Sequence, residues 1–301
     1  MTTQPIDFKP PTEDAPAVLL PLNARLFAER ADRFDLLAEG HSLNEWLQFL
    51  AQLSRAQQTA LSALPMLPLP DAEAQARAAQ HGMPTLDSAQ RPAVWREVLL
   101  QLASDLRLAA PAATRQTLDA LLVASDEHLE YLADGLLTGE PGADDIAALP
   151  FVAAALQVVF TRMAAQLDAS ALATMDALNV CPCCGSPAVA STVRLGPVIN
   201  NLRYLHCSLC NTEWNVARAV CTHCAGDGEV GLHELEGGKG PMRAETCDSC
   251  KSYLKIVYQE KDPNADPVAD DLATLALDML LDEAGYQRSG PNLLLMGAYS
   301  G

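Results

Sequence analysis

The distribution of the cysteines constrains this chain more than any other feature of its sequence. All 9 cysteines of the 301 residues fall within residues 181–250. Eight of them form four C-x-x-C pairs, which are Cys181/Cys184, Cys207/Cys210, Cys221/Cys224 and Cys247/Cys250. The third and fourth pairs follow the first and second at the same offset of 40 residues, and Arg203 and Arg243 repeat at that offset too. A constant offset of this kind indicates an internal duplication.

The C-x-x-C spacing is typical of metal sites. Two thiolates three positions apart can lie on one tight turn, and two such turns supply a tetrahedral set of four sulfurs. Duplication of one self-sufficient module predicts that the first pair joins the second and that the third joins the fourth. The alternative is a cross-braced arrangement in which the first and third pairs share an ion. The sequence predicts two four-cysteine sites that hold two mononuclear metal ions, with all eight paired cysteines as ligands.

The residues leave the identity of the metal open between zinc and iron. A tetrahedral set of four sulfurs suits either metal, and disulfides are rare in a reducing compartment. The first turn, residues 181–185 (CPCCG), resembles the C-P-x-C-G turn of rubredoxins and zinc ribbons. The two interpretations are therefore structural zinc sites that allow a small β-domain to fold and rubredoxin-like iron centres.

Other residues of the cysteine region are of metal-binding type. Cys183 lies inside the first pair and corresponds to His223 in the second repeat. We predict that Cys183 is not a ligand, because the paired cysteines already complete each site; a reactive thiol and a replacement ligand are the alternatives. His206 and His233 could bind metal in principle, but we expect both on the surface of hairpins.

The rest of the chain predicts an α+β protein with an all-α N-terminal domain. Apolar residues recur at helical spacing, as in Trp95, Val98, Leu99, Leu102 and Leu106. Loops rich in proline and glycine separate an expected six to eight helices. Ser42 and Glu45 predict a capping box at the start of one helix, and the apolar stretch 146–160 predicts a core helix.

Beyond residue 180 the pattern changes to short segments interrupted by glycine, which predict β-hairpins. Within one of them Leu254, Ile256 and Tyr258 alternate with Lys255 and are expected to face one way. A last helix is predicted after Pro267, packed on the body of the protein by one apolar face. The members of that face are Val268, Leu272, Leu275, Ala276 and Met279. The predicted domains are a helical domain (1–178), two tandem rubredoxin-like or zinc-ribbon modules (179–220 and 221–262) and a C-terminal helix (263–301).

Charge and motif content exclude several classes of function. The chain has 38 acidic and 20 basic side chains, a net charge of −18, which disfavours binding to nucleic acid or to an anionic membrane surface. Residues 1–7 lack the basic and apolar regions of a secretory signal, and no apolar stretch reaches the roughly 20 residues of a membrane helix. We therefore expect a cytoplasmic protein without membrane insertion. A Walker motif is absent from the sequence, and we predict that the chain is not an enzyme.

At the cysteine repeat the sequence also resembles one family, the formate dehydrogenase accessory proteins (FdhE). The segments that carry this resemblance are 202–210 (LRYLHCSLC), 213–214 (EW), 244–247 (AETC), 253–256 (YLKI), 258–263 (YQEKDP) and 269–273 (ADDLA). The resemblance implies a cytoplasmic, non-catalytic maturation factor that binds the catalytic subunit of respiratory formate dehydrogenase before export. It also implies rubredoxin-like iron binding by the eight paired cysteines, with zinc as the other candidate metal.

Two functions of other classes remain open at this point. One is a rubredoxin-like electron carrier or redox sensor, in which iron cycles between two oxidation states and hydrogen bonds to sulfur tune its potential. The other is a zinc-ribbon interaction module for nucleic acid or protein, which the acidic composition disfavours in the case of nucleic acid.

Overall fold

The computed structural model describes residues 15–173, 175–196, 199–226, 228–235, 237–238 and 240–295. Within this part the predicted α+β class is confirmed, because a helical N-terminal region precedes a sheet that carries the cysteines. Residues 1–7, on which the expectation about a secretory signal depends, lie outside the described residues.

Seven α-helices follow one another in the described part of the N-terminal region, within the predicted six to eight. They are α1 (Leu26–Ala38), α2 (Asn44–Ala63), α3 (Ala72–Gln80), α4 (Val94–Leu106), α5 (Ala112–Leu122), α6 (Asp126–Thr138) and α7 (Leu149–Ala164). The apolar residues of α4 are buried as their helical spacing predicts. The predicted capping box of Ser42 and Glu45 is wrong. The residue that precedes α2 is Leu43, and its side chain makes no capping hydrogen bond.

Helix α7 is the central element of the helical region. It contains most of the apolar stretch 146–160, has Pro150 in its first turn, and buries every residue except Pro150 and Arg162. Helices α2, α4 and α6 all contact it. A helix that is apolar on all sides is stable in water only when other elements surround it, and the predicted core helix is confirmed.

The cysteine region forms a single sheet that extends across both repeats. Its strands are β1 (Val18–Leu19), β2 (Ala188–Val193), β3 (Arg203–Cys207), β4 (Glu213–Val216), β5 (Val230–His233), β6 (Met242–Cys247), β7 (Ser252–Tyr258) and β8 (Gln287–Arg288). Their order is β1-β4-β3-β2-β7-β6-β5, with β8 also paired to β7. Strands that follow one another within a repeat pair antiparallel, which confirms the predicted hairpins. The repeats join through parallel pairing of β2 with β7, where Ser191 lies opposite Ile256.

Strand β7 is buried on both faces, although its alternating sequence suggests one polar face. Lys255 is 1% exposed and its ammonium forms ion pairs with Asp271, at 3.2 Å, and with Asp278. It also donates hydrogen bonds to the backbone carbonyls of Asp271 and Thr274. A buried charge with partners of this kind is tolerated, whereas an unpaired one is not.

The C-terminal helix predicted after Pro267 is interrupted. It consists of α8 (Ala269–Leu272) and α9 (Leu275–Glu283), and the Lys255 ammonium donates to backbone carbonyls on either side of the break. The interruption rotates the second segment, so Leu277 and Leu281 are buried while Met279 is 67% exposed. Ala276 is exposed as well, so the assignment of Ala276 and Met279 to the packed face is wrong.

Buried ion pairs fasten the helical region to the segment that follows the sheet. Arg30 of α1 pairs with Asp266 at 3.1 Å, and Arg33 pairs with Asp262 at 2.5 Å and with Asp270 at 2.6 Å. The apolar core of the helices is continuous with that of the first cysteine module. Among the helices described, none combines the length and the apolar character needed to cross a bilayer.

Candidate metal centres

The first cluster contains the two cysteine pairs of the first repeat. The Sγ atoms of Cys181 and Cys210 are 3.5 Å apart, as are those of Cys184 and Cys207. All four sulfurs lie within 4.8 Å of one another, and all four residues are buried. Sulfurs bound about 2.3 Å from a tetrahedral ion are roughly 3.8 Å apart, so this donor set fits a zinc or iron ion.

The second cluster contains the pairs of the second repeat in the same arrangement. The distance is 3.7 Å between the Sγ atoms of Cys221 and Cys250 and 3.8 Å between those of Cys224 and Cys247. Cys221 and Cys247 are buried, Cys250 is half-buried and Cys224 is exposed. The structure thus groups the first pair with the second and the third with the fourth, as the duplication predicts, and not in the cross-braced arrangement.

The residue after each C-x-x-C pair adopts a left-handed backbone conformation. These residues are Gly185, Asn211, Ala225 and Lys251, with φ values of 77°, 58°, 52° and 55°. The resulting turns direct backbone N–H groups at sulfur. The N–H of Cys210 donates to the Cys207 sulfur at 3.3 Å, and that of Gly226 donates to the Cys224 sulfur at 3.4 Å. The sequence marks only the first of the four turns, because the other three lack glycine.

Burial and mutual contact govern protonation in the first cluster. Burial raises the pKa of Cys181 and of Cys207 well above the ordinary thiol value. Burial also opposes ionisation of Cys210, but hydrogen bonds from the Cys181, Cys184 and Cys207 thiols outweigh it and bring the pKa of Cys210 to about 5. Four sulfurs this close cannot all be ionised without a compensating positive charge, because like charges repel. A divalent cation supplies that charge.

In the second cluster, which is more exposed than the first, the pKa shifts have different causes. Burial raises the pKa of Cys250, but hydrogen bonds to Ser252 outweigh it and bring the value to about 7. The Gly226 N–H lowers the pKa of Cys224, whereas hydrogen bonds with the Cys250 and Cys221 thiols raise it to a net value of about 12. The protons that remain on such thiols must leave when a metal binds.

Cys183 lies beside the first cluster and is not one of its four grouped sulfurs. The Thr212 hydroxyl donates to its sulfur at 3.3 Å, and its backbone carbonyl accepts a hydrogen bond from the N–H of Leu86 at 2.6 Å. Hydrogen bonds from the Cys181 and Cys210 thiols lower the pKa of Cys183 to about 5. That Cys183 is not a ligand stays a prediction.

His206 is buried, and the expectation that it lies on the surface is wrong. Its Nδ1 is 3.1 Å from the Glu213 carboxylate and its Nε2 is 3.1 Å from the side-chain oxygen of Asn211. That oxygen also accepts a hydrogen bond from Arg30, which links the β3–β4 hairpin to α1. His233 is half-buried and contacts the Thr246 hydroxyl at 2.9 Å. Neither histidine belongs to a four-sulfur cluster.

The helical region contributes contacts to the first cluster that sequence reasoning missed. The side-chain amide of Gln157 in α7 donates to the carbonyl of Ser208, inside the second cysteine turn, at 2.8 Å. The N–H groups of Thr85 and Leu86 donate to the carbonyls of Pro182 and Cys183 in the first turn. No motif marks these residues, since their partners are 51 to 97 positions away in sequence.

Comparison with known proteins assigns the chain to a family. Three family models match it: "FdhE, N-terminal" over residues 15–177, "FdhE, central domain" over 180–218 and "FdhE, C-terminal domain" over 219–295. An FdhE homologue from Edwardsiella ictaluri is 42% identical over 281 residues, which cover 92% of this chain and 91% of the relative. A homologue from Pseudomonas aeruginosa is 40% identical over 277 residues, which cover 90% of each protein.

A solved structure agrees with these matches in sequence. The crystal structure of the FdhE protein from Pseudomonas aeruginosa superimposes with a TM-score of 0.81 at 38% identity, covering 94% of this chain and 99% of that one. The four-cysteine clusters, the helical N-terminal region and the sequence matches along the whole described chain point the same way, and the chain belongs to the FdhE family.

Proposed function

We propose that this protein is an accessory factor for the maturation of respiratory formate dehydrogenase, and that it binds the catalytic subunit in the cytoplasm before export. The observation that carries the proposal is membership of the FdhE family along nearly the whole chain. The role is one of binding and not of catalysis. It does not involve nucleic acid, in keeping with the net charge of −18.

We propose further that the eight paired cysteines bind two mononuclear metal ions, with iron favoured and zinc as the alternative. Support comes from the two sets of four sulfurs and from the left-handed turns that place N–H groups beside them. An ion in each set would crosslink two turns of a small module and so supply folding free energy. The chain's own part is to hold the thiolates in place and to compensate their charge with backbone N–H groups.

Capture of the client tests the proposal. Affinity-tagged, metal-loaded protein is incubated with the purified catalytic subunit of a formate dehydrogenase, and the bound fraction is measured. We expect stoichiometric capture by the wild type and loss of capture when Cys184→Ser or Cys224→Ser disrupts a cluster.

The matched control is Cys183→Ser, which changes a cysteine in the same turn as Cys184 but outside the four-sulfur group. It should retain two ions and full capture. Failure of the metal-loaded wild type to bind the catalytic subunit would contradict the proposed client.

A further inference from the structure

We propose that the two clusters are kinetically unequal: the second cluster exchanges its ion with solvent, whereas the helical region closes the first. The inference rests on the proposed metal binding and extends it, because it assigns different behaviour to two copies of the same ligand set. It comes from the contacts of the turns, since the cysteine spacing is identical in both repeats.

Contacts from the helical region cover the first turn of the first cluster. The Leu86 N–H donates to the carbonyl of Cys183 at 2.6 Å, and the Thr85 N–H donates to that of Pro182 at 3.4 Å. Pro84 packs so closely that a side chain at Gly185 would place its Cβ 3.0 Å from the proline ring. The loop that ends α3 therefore lies directly on this turn.

Helix α7 covers the other turn of the same cluster. Gln157 donates to the carbonyl of Ser208 at 2.8 Å, and the side-chain amide of Asn211 donates to the Thr161 hydroxyl at 2.8 Å. As a result Cys207 and Cys210 are each 0% exposed. A chelator can reach these sulfurs only after the helices separate from the module.

Within the described part of the chain, the second cluster has no equivalent cover. Among the residues that the structure describes, the hydrogen bonds of its turns come from the sheet region and the C-terminal segment. Tyr286 donates to the Asp248 carboxylate at 2.8 Å, for example, and the Gln287 N–H donates to the Lys251 carbonyl at 2.7 Å. Cys224 is exposed, while Cys184 at the same repeat position is 4% exposed.

The difference in cover predicts a difference in rate. Exchange at a tetrahedral thiolate site begins when an incoming ligand reaches the ion or a sulfur. At the second cluster this requires no change in the protein, but at the first it requires local opening of a packed interface, which has a free-energy cost. We therefore expect the ion of the first cluster to leave at least about tenfold more slowly.

Chelator competition on the full chain tests the inference. The protein is loaded with zinc and mixed with excess 4-(2-pyridylazo)resorcinol, and release is followed by absorbance. The expected trace has a fast and a slow phase of one ion each. Cys224→Ser should abolish the fast phase and Cys184→Ser the slow one, and Gln157→Met should accelerate only the slow phase.

Alkylation of the zinc-loaded wild type gives a second measurement that does not depend on variants. With N-ethylmaleimide and peptide mapping, Cys224 and Cys250 should be labelled before Cys184 and Cys210. A chain that binds two ions and releases both in a single phase, or labels both clusters together, overturns this inference alone. A chain that binds no zinc refutes the proposed metal sites and the inference with them.

Discussion

The pairing of Arg33 with Asp270 offers a quantitative test of how the two regions are held together. The side chains are 4% and 2% exposed, and the guanidinium donates two hydrogen bonds to the carboxylate at 2.6 and 2.8 Å. Burial raises the pKa of Asp270 even though these hydrogen bonds oppose the shift. Arg33→Met leaves this carboxylate buried without its cation, a change that costs about 3–5 kcal/mol in comparable cases.

Protonation sets an upper limit on that cost. A pH of 7 lies about three units above the ordinary pKa of an aspartate, and each unit corresponds to about 1.4 kcal/mol. Protonating Asp270 on folding therefore costs at most about 4 kcal/mol. Because the raised pKa of Asp270 shows that the wild type already bears part of this cost, we expect Arg33→Met to lower the free energy of unfolding of the metal-loaded protein by about 2–4 kcal/mol at pH 7. At pH 5 the loss should be smaller, because Asp270 protonates more easily there.

Urea unfolding followed by helical circular dichroism measures this loss. Arg25→Met is the control, because Arg25 is 68% exposed and lies 3.8 Å from Asp32. An exposed pair of this kind contributes about 0.5 kcal/mol or less. The double variant Arg33→Met/Asp270→Asn should recover much of the loss, since it leaves no unpaired buried charge. Equal effects of Arg33→Met and Arg25→Met would refute the reasoning.

Two further predictions concern the cysteine turns and the helical region. Ala225→Gly should stabilise the second module by about 1 kcal/mol, since a non-glycine residue at positive φ is strained. For the same reason Gly185→Ala should destabilise the first module. Thermal unfolding of the metal-loaded protein measures both effects, and a loss of stability in Ala225→Gly would contradict the turn geometry. Burial opposes ionisation of Glu130, but hydrogen bonds from Arg96, Trp95 and Arg91 outweigh it and lower the pKa of this carboxyl below its ordinary 4.5. This carboxylate thus adds stability above about pH 4.5 that is lost as the pH falls through the lowered pKa. Glu130→Gln should therefore flatten that part of the pH profile of the unfolding temperature. Substitution of the exposed Glu140 by Gln is the control and should leave the profile unchanged.

The sequence predicts the local features of this protein well. The 40-residue offset favours the two sets of four cysteines that the structure shows, because each set closes within one repeat. Helical spacing finds the buried face of α4, and apolar length finds α7, because both signals come from neighbouring positions. These features depend on residues close together in the chain.

The features that the sequence does not predict depend on distant residues. Buried His206 lies beside a hydrogen bond between Arg30 and Asn211, which are 181 positions apart, and Lys255 of β7 binds carbonyls at the break in the C-terminal helix. The parallel pairing of β2 with β7 and the contacts of the helical region with the first cluster also join residues that are far apart in sequence. Two repeats with the same ligand spacing thus acquire different surroundings, which only the three-dimensional structure shows.

Metal titration tests the central claim most directly, namely that one duplicated module builds two independent four-cysteine sites. Cobalt(II) is added to the reduced, metal-free chain, and the visible bands of tetrahedral thiolate coordination are recorded against the ratio of metal to protein. The bands should grow linearly to two ions per chain, and Cys184→Ser and Cys224→Ser should each remove one ion and leave the other. Saturation at one ion, or loss of both ions from a single substitution, would contradict the account.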